Sequence, residues 1–462
     1  MTRFTPIIVT AAAAVAALAA VIVAAPDTAT APSAAASSYD AATPLGSLPG
    51  DWPTYHGDRQ RTGAAAMPAL TRAPARLTSV TLDAAVYASP IVARGVTVVA
   101  TENNSLYGYL RSGTRLWRTN LGRPARRSDL PCGNIDPLGI TGTPTYDATS
   151  GLVFAVAEHR APVRHELVAL SPTTGAVRWR RSVDLPGVDA TAMQQRGALI
   201  VDRGRVWVPF GGLAGDCGAY KGRMVGVATS GAGTAVAYTV PTTREAGIWA
   251  SAGASLDSYG HLLVAAGNGE SGPGDRYDFS DSVLQLTGDR LTGSFSPSTW
   301  AADNAADLDL GSVGPAVVGR SWVFIAGKSG TGYVLRQNAL GGIGGQVSSA
   351  PICRSFGGSA VVKDVVYVPC TDGVRAVRIS PSGTMKVLWR ASAAVTGSPV
   401  VGGGRVWALD VEAGRLHALD PRTGRTLSST PVGAVTRFAT PALSASRVIV
   451  PTKAGFTVVR AD

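Results

Sequence analysis

The chain has 462 residues and a formal net charge of +11, and 45% of its residues are apolar while 16% are charged. This balance excludes an intrinsically disordered chain, because it supplies enough apolar side chains for a sizeable core. The positive charge comes mainly from scattered arginines, and the longest basic runs are pairs such as Arg126-Arg127. These pairs have no aromatic residues interleaved with them, so they do not predict a specific nucleic-acid groove.

The N-terminus has the pattern of a secretory signal. Arg3 is its only charge before an apolar, alanine-rich run over residues 7–25. The small-x-small motif Ala34-Ala-Ala36 then predicts a signal peptide over residues 1–36. The alternative is an uncleaved membrane anchor, because an apolar run of this length is just long enough to span a bilayer.

The rest of the chain divides into a short linker and one repetitive domain. Residues 37–50 are predicted to be a flexible linker that has no core to bury. Residues 51–462 are organised by an internal repeat, which is clearest over residues 395–433. This copy holds four short strand-like runs separated by glycines and by the turn sequence Asp420-Pro-Arg-Thr-Gly424. It therefore predicts a four-stranded antiparallel meander.

Copies of this unit recur about 40 to 60 residues apart, which is the spacing of propeller blades with loop insertions. The eight copies begin near Ala88, Gly142, Gly197, Gly253, Gly314, Gly358, Ser398 and Ala439. The last copy stops one strand short, and an unassigned strand at residues 77–82 can complete it. We predict an all-β, eight-bladed propeller of four-stranded antiparallel blades. The tryptophans expected to pack between blades are Trp117, Trp179, Trp207, Trp322, Trp389 and Trp407.

Four cysteines in an exported chain suggest two disulfides, for which three pairings exist. Cys353 precedes the first strand of its blade and Cys370 ends the second, so both lie at one end of the same hairpin. Cys132 and Cys217 fall on the same face of the disc, in the second and third blades. We predict the pairs Cys353–Cys370 and Cys132–Cys217, in a monomer without a free thiol.

Two motifs carry a family resemblance. The turn Leu-x-Ala-Leu-(Asp/Ser)-Pro-x-Thr-Gly-x-x-x-Trp occurs at residues 167–179 and in part at residues 416–424. A second motif, Trp52-Pro-Thr-Tyr-His-Gly-Asp, is followed by Arg61-Thr-Gly63. Both resemble quinoprotein (PQQ-type) β-propellers, and the resemblance extends over residues 51–462. It implies an eight-bladed propeller but leaves the activity open, since this family holds pyrroloquinoline quinone enzymes and also non-catalytic scaffolds of outer-membrane protein assembly.

The repeat places the ends of the second strands, and the loops before the first strands, at one mouth of the central channel. The strand ends are Glu102, Glu158, Gly211, Asn268, Lys328, Thr371, Asp410 and Lys453. The loops add Asn134, Asp136, Trp249, Asp307 and Asp309. Carboxylate and amide oxygens that converge from several blades suit a hard cation. Polar strand ends are also ordinary at a solvated rim, so both interpretations stand.

The family resemblance implies a metal at this mouth. Glu158 and Asn268 fall where quinoprotein alcohol dehydrogenases place calcium ligands. Asp309 resembles the second aspartate of the lanthanide-using members. The implied metal ligands are therefore Glu158, Asn268 and Asp309, with calcium or a lanthanide as the ion.

The same resemblance implies a catalytic and cofactor-binding set. Asp307 falls where those enzymes have their catalytic carboxylate, and Lys328 resembles the basic residue that contacts the quinone. Trp249 resembles the indole on which the quinone stacks. Two features of those enzymes are missing from this chain, namely an adjacent Cys-Cys pair and a Cys-x-x-Cys-His haem motif.

The sequence thus supports two functions. The first is an exported binding or scaffolding module outside the cell membrane, whose partner is an unknown protein or cell-envelope ligand. Such a partner is expected at the inserts over residues 211–222 and 269–282. Polar contacts would come from Asp275, Arg276, Tyr277 and Asp278. The alternative is a dehydrogenase of alcohols or sugars that uses pyrroloquinoline quinone and a metal ion.

Overall fold

The computed structural model describes residues 48–461, which are almost entirely β-structure. The predicted signal peptide and most of the predicted linker lie outside these residues. Between residues 48 and 461 no helix is long and apolar enough to cross a membrane. The strands of this part of the chain form eight sheets arranged as blades, so the predicted eight-bladed propeller is confirmed.

The strands of the first four blades follow the chain order. Strand β1 (Ala75–Thr81) precedes them and joins the last blade. Blade 1 holds β2 (Ile91–Ala93), β3 (Val96–Ala100), β4 (Ser105–Tyr109) and β5 (Arg115–Asn120). Blade 2 holds β6 (Thr145–Asp147), β7 (Leu152–His159), β8 (Arg164–Leu170) and β9 (Val177–Ser182). Blade 3 holds β10 (Met193–Gln194), β11 (Ile200–Asp202), β12 (Arg205–Gly212), β13 (Arg223–Ala228) and β14 (Val236–Thr239). Blade 4 holds β15 (Ser255–Leu256), β16 (Leu262–Ala266), β17 (Ser282–Thr287) and β18 (Arg290–Ser296).

The second half of the ring repeats this plan. Blade 5 holds β19 (Ala316–Val318), β20 (Trp322–Ala326) and β21 (Thr331–Arg336); β22 (Gly342–Ile343) pairs with blade 4, and β23 (Ser348–Pro351) completes blade 5. Blade 6 holds β24 (Ala360–Val362), β25 (Val365–Val368), β26 (Arg375–Ile379) and β27 (Met385–Arg390). Blade 7 holds β28 (Val400–Gly402), β29 (Arg405–Asp410), β30 (Arg415–Leu419) and β31 (Thr426–Pro431). Blade 8 holds β32 (Ala442–Ser444), β33 (Arg447–Thr452) and β34 (Gly455–Arg460). The helix α1 spans Trp300–Ala305, and single 3₁₀ turns lie at Arg127–Asp129, Ala190–Ala192 and Leu310–Ser312.

The ring is closed by strands from opposite ends of the domain. β1 pairs with β34 in antiparallel register, with Ser79 opposite Thr457 and Val80 opposite Phe456. The innermost strands of blades 1 and 8, β2 and β32, are in contact. The predicted N-terminal strand therefore supplies the missing outer strand of blade 8, and it covers an edge that β34 would otherwise expose.

The repeat motif is explained by how neighbouring blades dock. The Trp117 indole Nε1, on β5, donates to the Pro172 carbonyl in the β8–β9 turn of blade 2, at 2.9 Å. The ring lies against Gly175, where an added Cβ would stand 2.5 Å from the indole. The same arrangement recurs for Trp179 with Thr229 and Gly231, and for Trp389 with Pro421 and Gly424. Blades 1, 2 and 6 thus end in a tryptophan that the next blade's turn must accommodate with a glycine.

The other three predicted tryptophans fill blade interfaces from the second strand. Trp207 packs with blade 4, Trp322 with blade 6 and Trp407 with blade 8. All three are at most 8% exposed. Packing of the six tryptophans between blades is therefore confirmed, and their area contributes to the interfaces that hold the ring together.

The segment before β1 crosses the channel at the end opposite the mouth. Trp52 exchanges two backbone hydrogen bonds of 2.9 Å with Val92 of β2. Leu256 N donates to Arg59 O, and Val361 N donates to Thr62 O, each at 2.7 Å. The segment thus contacts innermost strands on several sides of the ring. The motif that begins at Trp52 and continues to Gly63 therefore ties innermost strands of different blades to one segment.

Arg61 anchors that segment from within. It is 3% exposed, and its guanidinium donates to the carbonyls of Ala254, Tyr55 and Leu199 at 2.9 to 3.0 Å. It also donates to Thr54 Oγ1 at 2.6 Å. A buried charge is tolerated only when it is surrounded by hydrogen-bonding partners, and backbone and hydroxyl oxygens supply them here.

Candidate functional site

A cavity of about 480 Å³ opens at the mouth where the first strands begin and the second strands end. Its lining comes from the loops that precede β11, β15, β19, β24 and β32, and from the loops that follow β12, β16, β20 and β33. Tyr87 and Asn134 add contacts from the loops before blades 1 and 2. The propeller therefore gathers side chains from most of its blades at one place.

Three aromatic rings form the floor of this cavity. Trp249, Phe356 and Phe438 precede β15, β24 and β32, and the centroids of their rings lie 6.3 to 6.5 Å apart. Below them, a void of only about 10 Å³ lies between Phe438 and Tyr55 of the crossing segment. The cavity is therefore a blind pocket with an aromatic base whose rings are inclined to one another by 47 to 67°, which suits a ligand that carries an aromatic ring.

An ammonium and two carboxylates meet on one wall. Lys328 Nζ lies 2.6 Å from Asp307 Oδ1 and 2.6 Å from Asp309 Oδ2. It is also 5.8 Å from the centroid of the Trp249 ring. Burial alone would lower the pKa of Lys328, but Asp309 and Asp307 raise it above its ordinary value, so the side chain stays charged.

The two aspartates differ in exposure and conformation. The Asp307 side chain is 70% exposed, whereas that of Asp309 is 4% exposed. Asp307 also has a φ of 53°, the left-handed conformation that commonly follows a helix C-cap, here that of α1. Asp307 is therefore the carboxylate that a molecule in the cavity would meet, and Asp309 supports Lys328 from behind.

Asn268 joins this cluster through Asp309. The Asn268 backbone N donates to Asp309 Oδ1 at 2.5 Å. When its amide nitrogen is turned towards the carboxylate, the side chain donates to both oxygens of Asp309 as well. Five of the six predicted site residues thus line one cavity, namely Trp249, Asn268, Asp307, Asp309 and Lys328.

The sixth residue, Glu158, is elsewhere, and its predicted place beside Asn268 is wrong. Glu158 lies opposite His165 in the long β7–β8 hairpin, and its Oε2 is 3.3 Å from His165 Nε2. His165 also bonds Asp184 at 2.8 Å and packs edge-on against Phe210. Burial alone would lower the pKa of His165, but Glu158 and Asp184 raise it to about 10. The carboxylate is therefore held as a counter-ion between blades 2 and 3.

The residues present do not fit a metal centre. Within residues 48–461, no three His, Cys, Asp or Glu side chains are grouped so that they could hold an ion. Asp307 and Asp309 are both bonded to the Lys328 ammonium, and Asn268 donates to Asp309. Calcium takes six to eight oxygen ligands, and this wall offers two carboxylates that share one ammonium.

The opposite wall is cationic. Arg354, Arg437 and Lys453 line the cavity, and among the described residues no carboxylate forms an ion pair with them. Arg437 lies over the rings of Phe356 and Phe438, with its Cζ 4.3 and 5.5 Å from their centroids. Arginine stacked on aromatic rings is held in place while its donors still face the cavity.

Arg196 adds a fourth cation on this side. Its Cζ lies 5.2 Å from the Phe438 centroid, and it bonds Gln194 at 3.1 Å. Burial lowers the pKa of Arg196, whereas Glu102 raises it. With Lys328 included, five cationic side chains face three carboxylates in the cavity, a net charge of +2. The cavity therefore attracts anions.

The rim is built by the insert over residues 211–222. Cys217 in this insert forms a disulfide with Cys132, which lies in the loop before blade 2. Tyr220 Oη donates to Asp216 Oδ1 at 2.5 Å, and Arg244 Nη1 donates to the Asp216 carbonyl at 2.8 Å. The insert is thus tied down on both sides, and it presents Asp216 and Tyr220 to the cavity.

The second disulfide joins Cys353 to Cys370 within blade 6, so the structure contains both pairs that the sequence analysis proposed. No cysteine among the described residues is free. Cys353 immediately precedes Arg354 on the cationic wall. The two disulfides therefore hold opposite sides of the same mouth.

The insert over residues 269–282 is mainly occupied with its own structure. Tyr277 packs against Phe279 and Trp300, with ring centroids 4.6 and 5.3 Å apart. Asp278 accepts from Ser280 N at 3.0 Å, and Asp275 accepts from Gly272 N at 2.8 Å. These predicted contact residues stabilise the loop beside a shallow groove.

The sequence analysis named the insert that contains Asp216 and Tyr220 but not these two residues, and it missed further cavity residues, namely Arg196, Arg354, Phe356, Arg437 and Phe438. The two phenylalanines had a detectable signal, because each stands four residues before an innermost strand, β24 or β32. Asp216 and Tyr220 lie in an insert outside the repeat, where repeat comparison gives no information.

A comparison with protein families finds one match, over residues 60–242, to the family described as outer membrane protein assembly factor BamB. A search of characterised proteins by sequence finds no significant match. The family match agrees with the resemblance to PQQ-type repeats drawn from the motifs.

Solved structures share the fold. The chain is similar to a europium-containing methanol dehydrogenase, with a TM-score of 0.68 and 14% identity over 90% of this chain and 99% of that one. It is similar to the quinohemoprotein alcohol dehydrogenase ADHIIG from Pseudomonas putida HK5, with a TM-score of 0.68 and 13% identity over 89% of this chain and 80% of that one. It is also similar to BamB from Moraxella catarrhalis, with a TM-score of 0.59 and 18% identity over 84% of this chain and all of that one. These likenesses confirm the fold and do not extend to activity.

Proposed function

We propose that this chain, a β-propeller of PQQ-type repeats, is a ligand-binding module that acts outside the cell membrane and holds a planar anion in its axial cavity. Two disulfides support a place outside the cytoplasm, because such bonds persist in oxidising compartments. The aromatic floor supports a ligand that carries an aromatic ring, and the charge of the walls supports an anionic one.

A single observation carries the proposal: Arg354, Arg437 and Lys453 converge on an aromatic floor without a carboxylate partner among the described residues. Like charges repel one another, so gathering them at one mouth is unfavourable in the free protein. An anion that enters removes this repulsion and gains charge-assisted hydrogen bonds from the arginines. Stacking on Phe356 and Phe438 would add to the affinity for a planar molecule.

Isothermal titration calorimetry tests the proposal with benzene-1,3,5-tricarboxylate and pyrroloquinoline quinone as planar anions, and with benzamide as a neutral ring. We expect both anions to bind, benzamide to bind far more weakly, and added salt to weaken the anions further. Arg437→Gln should reduce affinity about tenfold, the effect of losing roughly 1.4 kcal/mol.

Arg320→Gln is the matched control. Arg320 is an exposed arginine in the turn between β19 and β20, away from the cavity lining. It changes the net charge equally, so a purely long-range effect would weaken binding in both variants alike. Equal affinities for Arg437→Gln and the wild type, or no binding of any planar anion, would contradict the proposal.

A quinone-dependent dehydrogenase is the second candidate. It is favoured by the meeting of Asp307, Lys328 and Trp249 in the cavity, since the family resemblance gives these residues catalytic and cofactor-binding roles. When bound, the quinone would supply an acceptor for two electrons. Trp249 would lie under its rings, Lys328 would donate to it, and exposed Asp307 would accept the substrate proton.

Reconstitution tests this second candidate. The protein is mixed with pyrroloquinoline quinone, with or without calcium or a lanthanide, and dye reduction by alcohols and aldose sugars is followed. Dye reduction that is lost in Asp307→Ala while quinone binding persists would support the enzyme. Binding of the quinone without dye reduction under every condition would leave the ligand-binding function alone.

A further inference from the structure

The cavity wall formed by Asp307, Asp309 and Lys328 already contains a cation, the Lys328 ammonium. Lys328 Nζ stands between Asp307 Oδ1 and Asp309 Oδ2 at 2.6 Å from each, and the lysine and Asp309 side chains are 12% and 4% exposed. At this distance and burial, each contact is a charge-assisted hydrogen bond. The ammonium is therefore the cation that both carboxylates share.

The backbone fixes the ammonium in this position. Lys328 N donates to Asp309 O at 2.8 Å. A Cβ added at Gly327 would stand 2.3 Å from the same carbonyl, so the loop after β20 and the loop before β19 are in close contact. To admit an ion, Lys328 would have to leave both carboxylates while its own main chain stayed beside Asp309.

Asn268 is also directed towards Asp309 as a donor. Its backbone N donates to Asp309 Oδ1, and with the amide turned so that its nitrogen faces the carboxylate, the side chain donates there as well. A metal would need the amide oxygen instead, because hard cations bind oxygen. Glu158, the remaining implied ligand, forms an ion pair with His165 in blade 2.

We infer that the Lys328 ammonium, and not a metal ion, is the cation held by Asp307 and Asp309, so this propeller binds its ligand without a metal. The claim that Lys328 replaces a metal ion rests on the contacts among Asp307, Asp309 and Lys328. The claim that a ligand binds there rests on the proposed function. One ammonium leaves the two carboxylates with a net charge of −1, so the wall already holds part of the positive charge that a divalent ion would supply.

Terbium luminescence tests the ion directly and needs no ligand. Because the Trp249 ring is 5.8 Å from Lys328 Nζ, a terbium ion at the ammonium position would be excited efficiently through this indole. We expect wild-type protein to give no more saturable emission than Asp309→Asn. Lys328→Met should gain saturable emission, because it frees two carboxylates, and this gain should be lost in Lys328→Met/Asp309→Asn.

Two outcomes would overturn the inference. The first is saturable emission from wild-type protein that disappears in Asp309→Asn, which decides the matter even if Lys328→Met fails to fold. The second is a Lys328→Met protein that is folded by circular dichroism yet gains no emission. Calorimetry of benzene-1,3,5-tricarboxylate with EDTA present separates the two proposals. Wild-type binding that needs added calcium overturns the metal-free site. Absence of binding both with and without calcium overturns the ligand-binding function.

Discussion

The two ends of the central channel use arginine in opposite ways. At the closed end, Arg61 is 3% exposed and gives its donors to three carbonyls and a hydroxyl. At the open end, Arg437 is exposed and lies over the Phe356 and Phe438 rings, and among the described residues its guanidinium has no hydrogen bond or ion pair. An arginine whose donors are all used by the protein stabilises the fold. An arginine whose donors remain available in a cavity is suited to bind a ligand.

The largest expected effect is at the closed end. Arg61→Met should lower the free energy of unfolding by about 3 kcal/mol or more, because it leaves several buried carbonyls without donors. Urea denaturation followed by circular dichroism measures this. A loss below about 1 kcal/mol would contradict the structural role given to Arg61.

The rim disulfide should give the next largest effect. Replacing Cys132 and Cys217 by serine should cost about 2 to 4 kcal/mol of stability, since the bond closes a loop of sequence separation 85. It should also expose Lys221 in the insert over residues 211–222 to trypsin. Limited proteolysis that cuts the variant and the wild type at the same rate would refute this anchoring.

A pH-dependent effect, comparable at pH 8 to the loss of the disulfide, is expected behind the mouth. Glu102 is 1% exposed; its Oε2 accepts from Gly139 N and Thr141 Oγ1, and Glu158 and Arg196 are the charges near it. Burial raises the pKa of Glu102 from 4.5 to about 8.

Between these pH values the unfolded chain has released this proton while the folded protein keeps it. Stability from Glu102 is therefore full below pH 4.5 and falls as the pH rises towards 8, by at most about 1.4 kcal/mol per unit. Glu102→Gln should remove this slope when unfolding is measured from pH 5 to pH 8. Parallel stability curves for variant and wild type would contradict the raised pKa.

The smallest effect should be at the open end. Arg437→Met should change the free energy of unfolding by less than about 1 kcal/mol, the range of an exposed cation–π contact. Measured beside Arg61→Met, it sharpens the contrast between the two ends. A loss as large as that of Arg61→Met would make Arg437 a structural residue and weaken the ligand site.

The fold was predictable because its signals are local and repeated. In three blades the turn glycine and the tryptophan of the preceding blade are in contact, as between Gly175 and Trp117, so there the motif encodes the docking of neighbouring blades. The orphan strand near residue 77 could be placed because the last repeat was incomplete.

The site was only partly predictable. The positions of the strand ends in the repeat, together with the family resemblance, located five residues that line one cavity, namely Trp249, Asn268, Asp307, Asp309 and Lys328. Glu158 was misplaced because β7 and β8 extend as a long hairpin in which it pairs with His165. The cationic wall could not be foreseen, because whether Arg354 and Arg437 have carboxylate partners depends on contacts between distant blades.

The most direct test is a crystal structure of the protein with benzene-1,3,5-tricarboxylate. The account predicts the ring on the floor formed by Trp249, Phe356 and Phe438, with carboxylates bonded to Arg354, Arg437 or Lys453, and Lys328 still between Asp307 and Asp309. A ligand bound only on the outer surface of the blades, with the cavity filled by water, would contradict the central claim.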